Sequence, residues 1–340
     1  MSSPTTVPAV PALAGVTRVV CASAPVRLDF GGGWTDVPPY ADDPGGFVCN
    51  VAIERRASVR LAPAGVARPH ADESRRELPP LCEAALRRAG LDALDAELRS
   101  DFPVGAGLGG SSAAGVALAA ALARWRGAST PPTTLAEWSR ALEVDELRIA
   151  GGRQDHYAAA LGGALALRFG GGRVDARPIA MSDETVAALE RRCVVVYTGE
   201  ARVSARTITG VLDAYARREP AVCDALGRMR ELAEAMADVL AAGDVDALGR
   251  LVGEHWRWQR ALHPAIPTPA IDDVLARAAA AGALGGKALG ASGGGCVLVV
   301  APAEGVAAVR AALAGHGEPL SFAIAREGVR AWDEPPGDAT

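Results

Sequence analysis

Lysine is almost missing from this chain. Of its 35 basic residues 34 are arginine, and Lys287 is the one lysine, a bias that reads as genomic base composition. Basic side chains are also outnumbered, 35 against 40 acidic, for a formal charge of -5. Such a balance provides no global cationic field for a nucleic-acid backbone or an anionic lipid surface, so any phosphate recognition must be local. Aromatic residues are sparse at 4%. The six cysteines, at 21, 49, 82, 193, 223 and 296, contain no C-x-x-C pair, which excludes a zinc ribbon and leaves them as reduced, mostly core thiols. Long apolar runs are missing too: no stretch of about 18 uncharged apolar residues could span a bilayer. The first cation is Arg18, so the start lacks the charged segment of a secretory signal. The expectation is a cytoplasmic protein with no nucleic-acid or membrane partner, whose residues 1–15, rich in proline and small side chains, form a disordered leader.

What is present points to a folded chain of some size. Its 340 residues correspond to about two domains, and 49% hydrophobic with 22% charged residues is an ordinary globular composition. Val26, Leu28 and Phe30 alternate with Arg27 and Asp29, the pattern of a half-buried strand over 18–30. Strands are expected over 47–53, 57–61, 96–102, 164–169, 193–197, 296–300, 320–324 and 328–332, and helices over 78–89, 111–125, 134–144, 270–281 and 305–314. Residues 202–261 carry a helical apolar period broken at Gly243-Asp244. Strands and helices interleave throughout, the signature of an α/β or α+β layered architecture, with a domain boundary near the strand 193–197.

Three segments could carry chemistry. Gly105, Gly107, Gly109 and Gly110, with Leu108 between them, stand directly before Ser111, Ser112, Ala113 and a long helix. Glycine lets the main chain approach an anion, and the free N–H groups and dipole of a helix start favour phosphate. A plain tight turn capped by Ser111 is the alternative. The spacing also satisfies G-x-G-x-x-G, but the acidic residue that a dinucleotide fold places about 20 positions on is missing. A second glycine cluster, Gly290 to Gly295, precedes the strand 296–300, with Lys287 just before it. The third segment, Gly151 to Tyr157, offers Asp155 as a base or as a helix cap, and His156 as a packed or surface residue. Upstream, Glu143 reads as a surface carboxylate or a metal ligand.

Jointly, Ala24-Pro25-Val26-Arg27 with Gly33-Trp34-Thr35-Asp36, then Gly105 to Ala113, then Gly290 to Gly295, resemble the three ordered motifs of the GHMP small-molecule kinases. The likeness spans nearly the whole chain. Within that superfamily it is similar to the D-glycero-D-manno-heptose 7-phosphate kinases and to the L-fucokinase and arabinokinase group. The resemblance implies a two-domain α+β fold: an N-terminal phosphate-loop domain over 16–185 and a ferredoxin-like C-terminal domain over 186–340. It also implies an ATP- and magnesium-dependent sugar kinase acting on an anomeric hydroxyl, with a heptose 7-phosphate as first acceptor and a fucose- or arabinose-type sugar as the alternative. A catalytically silent sugar and ATP sensor is the rival, and a homodimer is left open. By position, Asp155 matches the catalytic aspartate and Arg27 its basic partner. Gly105, Gly107, Leu108, Gly109, Gly110, Ser111, Ser112 and Ala113 match the ATP loop, and Ser112 with Glu143 the magnesium ligands. Asp36, Thr35, Trp34, Gly33, Gln154, Arg202, Gly293 and Gly294 match the sugar side. Arg153, Arg202 and Arg206 are candidates for a distal phosphate. Ser292, Cys296 and His156 depart from the usual pattern.

Overall fold

The computed structural model describes residues 18–65, 79–149, 151–199 and 205–335. The expected leader 1–15 and Arg202 lie outside the described residues, as does the side chain of Arg206.

The chain runs β1 (Val20–Gly31), β2 (Gly46–Pro63), α1 (Pro80–Ala89), β3 (Leu94–Ser100), α2 (Gly110–Trp125), α3 (Pro132–Ala141), α4 (Gln154–Leu161), β4 (Ala164–Gly170), β5 (Arg173–Ile179) and α5 (Asp183–Arg192). It continues through β6 (Cys193–Tyr197), α6 (Ala205–Ala216), α7 (Pro220–Ala241), α8 (Val245–Gln259), α9 (Pro269–Ala280), β7 (Gly285–Ala288), β8 (Cys296–Val300), α10 (Val306–Leu313), β9 (Glu318–Pro319) and β10 (Arg330–Asp333).

Two sheets organise these elements. The first has the order β10-β1-β2-β4-β5, with β3 paired to the far end of β2. The second has the order β7-β8-β6-β9, and its chain path of strand, helices, two strands, helix, strand is the ferredoxin-like split unit. The architecture is thus of the expected α+β class. The C-terminal tail departs from the expected division, because β10 pairs with β1 and Ile324 bridges to Ile53. Residues beyond β9 therefore complete the first sheet.

Several local expectations change for physical reasons. The strand alternation predicts one wet face for β1, yet nearly all of it is buried, because α2, α4 and α7 all pack against β1 and β2. Arg27 and Asp29 are consequently inside. The two strands expected over 47–61 are one long β2, bent where its register with β1 shifts between Pro25 and Val26. No strand covers 320–323, whereas β5, β7 and α5 form where none was expected. α2 owes its place to composition: small alanines and Leu118 and Leu122 bury eleven consecutive positions, Ser112 to Leu122, so its N-terminus is fixed against the sheet. All six cysteines are unpaired, and four of them are buried.

Candidate active site

The glycine run before α2 is tied to both sheets. Leu108 O accepts from Arg27 N at 3.1 Å, and Ala106 O accepts from Cys296 N at 2.8 Å. The helix begins at Gly110 with Gly109 as its N-cap, and no side chain caps it. Ser111, the capping alternative, lies inside the first turn, so the first N–H groups keep no side-chain acceptor and face an anion's needs. Gly109 has φ +78°, and a Cβ there would sit 2.9 Å from Asp155 Cγ. Only glycine allows the loop to pass that carboxylate.

Asp155 stands in the first turn of α4, but it does not cap the helix, whose N-cap is Arg153. It pairs with Arg27 instead. Arg27 Nε donates to Asp155 Oδ1 at 2.7 Å and Nη2 lies 2.6 Å from the same oxygen, while Nη1 donates to Gly107 O at 2.7 Å. One buried guanidinium thus fixes both the carboxylate and the glycine loop.

Behind this pair is a second one. Lys287 Nζ donates to Asp29 Oδ2 at 2.9 Å, and both side chains are buried. Burial pushes the Asp29 carboxyl up, but the Lys287 and Arg27 charges outweigh it and hold it below the usual carboxylate range. Burial and the Lys287 charge drive His255 well below its ordinary value, so it is neutral, with Nε2 accepting from Gly32 N at 2.9 Å.

Glu143 sits in a wide turn after α3, where Leu147 N donates to Leu142 O at 3.2 Å. It is buried, which overturns the surface reading. Ser112 Oγ donates to Glu143 Oε2 at 3.2 Å, and His156 Nε2 lies 3.2 Å from the same oxygen. His156 Nδ1 is 3.0 Å from Ser139 Oγ, so the histidine is packed. Burial raises the Glu143 carboxyl, yet hydrogen bonds from His156, Ser111 and Ser112 bring it below its ordinary value. Its Oε1 is buried without a partner. An ionised oxygen beside a serine hydroxyl suits a hard cation that takes its remaining ligands from phosphate and water.

Asp36 is held by the Gly152 segment, where a Cβ would lie 1.8 Å from Asp36 Oδ2, and this oxygen accepts from Gln154 N at 3.0 Å. Burial pushes its carboxyl up to about 6, helped by the charges of Asp155 and Asp29 and opposed by the backbone hydrogen bonds. The folded state therefore binds the proton more tightly than the unfolded chain, and ionised Asp36 lowers stability progressively from pH 3.8 to about 6 and fully above that. Asp36→Asn is expected to raise the melting temperature at pH 8 and to change it little at pH 4, as parallel thermal scans would reveal.

These groups surround a cleft of about 270 Å³. The structure brings to it Arg27, Gly33, Trp34, Asp36, Gly107, Gly109, Gly110, Ser111, Ser112, Glu143, Gln154 and Asp155. Others support it from behind. Thr35 Oγ1 donates to Gly32 O at 2.7 Å and anchors the loop, and Leu108 and Ala113 are core residues. Gly105, Gly293 and Gly294 do not line the cleft; Gly293 N instead donates to Ile266 O at 2.7 Å. From the second glycine cluster Gly290 and Ala291 reach the cleft, and Ser292, at φ +66°, accepts from Gln259 Nε2 at 2.8 Å. Sequence reading missed Asp29, Val37, Ile149 and Ile208 as lining residues. For Asp29 a signal existed: alternation placed it on the face of Arg27.

Known proteins resemble this chain in sequence and in fold. Residues 80–163 match the family described as GHMP kinases N terminal domain, and residues 226–318 match GHMP kinases C terminal, together just over half of the chain. A D-glycero-alpha-D-manno-heptose 7-phosphate kinase from Campylobacter jejuni is 28% identical over 235 residues, 68% of this chain and 69% of that protein. A mevalonate kinase from Thermococcus sibiricus is 30% identical over 239 residues, 69% and 68% of the two chains. The crystal structure of a D-glycero-D-manno-heptose 1-phosphate kinase from Bacteroides thetaiotaomicron superposes with a TM-score of 0.72 at 25% identity, covering 92% of this chain and 98% of the other.

Proposed function

The chain belongs to the GHMP kinases, and on that premise we propose that it transfers the γ-phosphoryl group of ATP to the anomeric hydroxyl of a sugar. The observation that carries this reading is the Arg27-held carboxylate of Asp155, facing the cleft beside an uncapped helix start. Phosphoryl transfer needs positioning and charge stabilisation more than covalent chemistry. The N–H groups at the start of α2 hold the phosphates of ATP. Asp155 accepts the proton of the attacking hydroxyl, and Arg27 keeps that carboxylate aimed while its third nitrogen holds the glycine loop. Ser112 and Glu143 would hold the magnesium ion that accompanies ATP, which supplies charge neutralisation at the β and γ oxygens.

For the acceptor, a heptose 7-phosphate is the first choice, in line with the Campylobacter relative. One observation favours the second choice, a 6-deoxy sugar such as L-fucose. Trp34, Val37, Ile149, Ile208 and Ala291 give the cleft an apolar wall suited to a methyl group, and among the described residues the one cation lining it is the engaged Arg27. Arg153 lies 3.6 Å from Glu137 and is not in that lining.

The test is ADP release with magnesium-ATP against heptose 7-phosphate, free heptose, mannose, L-fucose, L-arabinose, galactose and mevalonate. Turnover of a sugar at its anomeric carbon is expected. Turnover of mevalonate alone would overturn the reading, and sugar binding without turnover by any sugar would favour the silent sensor.

A further inference from the structure

Four buried polar atoms of the cleft lining have no hydrogen-bond partner: Asp29 Oδ1, Trp34 Nε1, Glu143 Oε1 and Gln154 Oε1. Buried polar groups are rarely left unpaired, so a cluster of them around one cleft marks where a ligand supplies the missing partners. Glu143 Oε1 has the cation as its candidate partner. The remaining three ask for groups that both donate and accept, which is what sugar hydroxyls do.

Asp29 is the least expected member of this set. Its Oδ2 is taken by Lys287, and its Oδ1 is free. Lys287 is fully buried on β7 of the second sheet, 258 residues away in sequence. In a chain whose other 34 basic residues are arginine, the single lysine presents a compact ammonium to this buried carboxylate. An ion pair this deep is a poor source of stability, since desolvation offsets most of the attraction. A positional role explains its presence better: one oxygen of the carboxylate is pinned while the other is left buried and unpartnered in the wall of the cleft.

We propose that Asp29 Oδ1 accepts a hydrogen bond from a hydroxyl of the acceptor sugar other than the one phosphorylated, and that Lys287 is the positioning residue that fixes this carboxylate. The assignment rests on the sugar-kinase reading above and adds to it the orientation of the acceptor. With Asp29, Asp36 and Asp155 all lining the cleft, the hydroxyl-bearing edge of the sugar lies against them and any phosphate it carries points away. Lys287 lies on the strand that leads into the second glycine cluster, so the same contact ties the second sheet to acceptor binding.

The experiment is steady-state kinetics of Asp29→Asn with the panel sugar that the wild type phosphorylates, together with its 2-, 3- and 4-deoxy forms. Loss of a charged acceptor should raise the acceptor KM by about ten- to a hundredfold, with a much smaller change in kcat and an unchanged melting shift on adding magnesium-ATP. One deoxy analogue, poor for the wild type, should be no poorer for the variant. If Asp29→Asn does not fold, the neutral pair Asp29→Asn/Lys287→Met, which leaves no lone buried charge, carries the same test. An unchanged KM, or equal losses for every deoxy analogue, overturns the assignment alone. If the wild type phosphorylates none of the sugars, the sugar-kinase reading falls and this assignment falls with it.

Discussion

Asp155→Asn is expected to lower turnover by about 10²- to 10⁴-fold, the range that a positioned acid or base contributes. The amide keeps the size of the side chain and one oxygen that can accept from Arg27, so the glycine loop, held by Arg27 Nη1 at Gly107 O, should stay in place. What it loses is the ability to take a proton from the attacking hydroxyl. In the proposed function nucleotide binding relies on the start of α2 and on Ser112 and Glu143, whose hydrogen bonds do not involve the altered atom. The melting shift on adding magnesium-ATP should therefore match the wild type while ADP release collapses. A variant that turns over at close to the wild-type rate would remove Asp155 from the chemistry and leave Arg27 as a structural arginine. A variant that lost the nucleotide shift as well would mean that the Arg27 pair holds the loop rather than the proton acceptor.

The separation between loop and proton acceptor is legible in the sequence only where the signal is local. The glycine run before α2 and the small-residue helix after it stand in adjacent positions, so backbone freedom and helix propensity announce them together. The roles of Arg27, Asp36 and Asp155 came from the resemblance, because nothing in a lone arginine or aspartate says which carboxylate it faces across 128 residues. Glu143 was misjudged as far as exposure goes for a similar reason: the wide turn that buries it against Ser112 and His156 follows a helix whose polar end looks like any solvated terminus. β5 went unseen although Val174 and Ala176 alternate with charged residues, since its edge position leaves half of it wet and its apolar content low. β7 contains two glycines, which read as a loop, and its strand character is supplied by β8 beside it.

Lys287→Met should show how much such long-range pairing matters to the fold. Removing one partner of a buried ion pair leaves the other charge without compensation, and losses of about 3–5 kcal/mol are typical. Here the residual charge would be Asp29, already close enough to Asp36 for like-charge repulsion, with Arg27 drawn between the carboxylates of Asp29 and Asp155. Arg27 could answer Asp29 only at the expense of Asp155, so lost stability and a weakened active-site pair should come together. The double variant Asp29→Asn/Lys287→Met removes both charges and should recover most of the loss, because well-packed neutral groups in place of a buried pair are often no worse than the pair. Urea unfolding of the wild type, both single variants and the double variant measures the coupling directly. A double variant as unstable as Lys287→Met would mean that the lysine acts through its packing between the sheets and not through its charge. Recovery of stability without recovery of acceptor affinity would separate the two roles, leaving the pair dispensable for folding and retained for the geometry of one carboxylate oxygen.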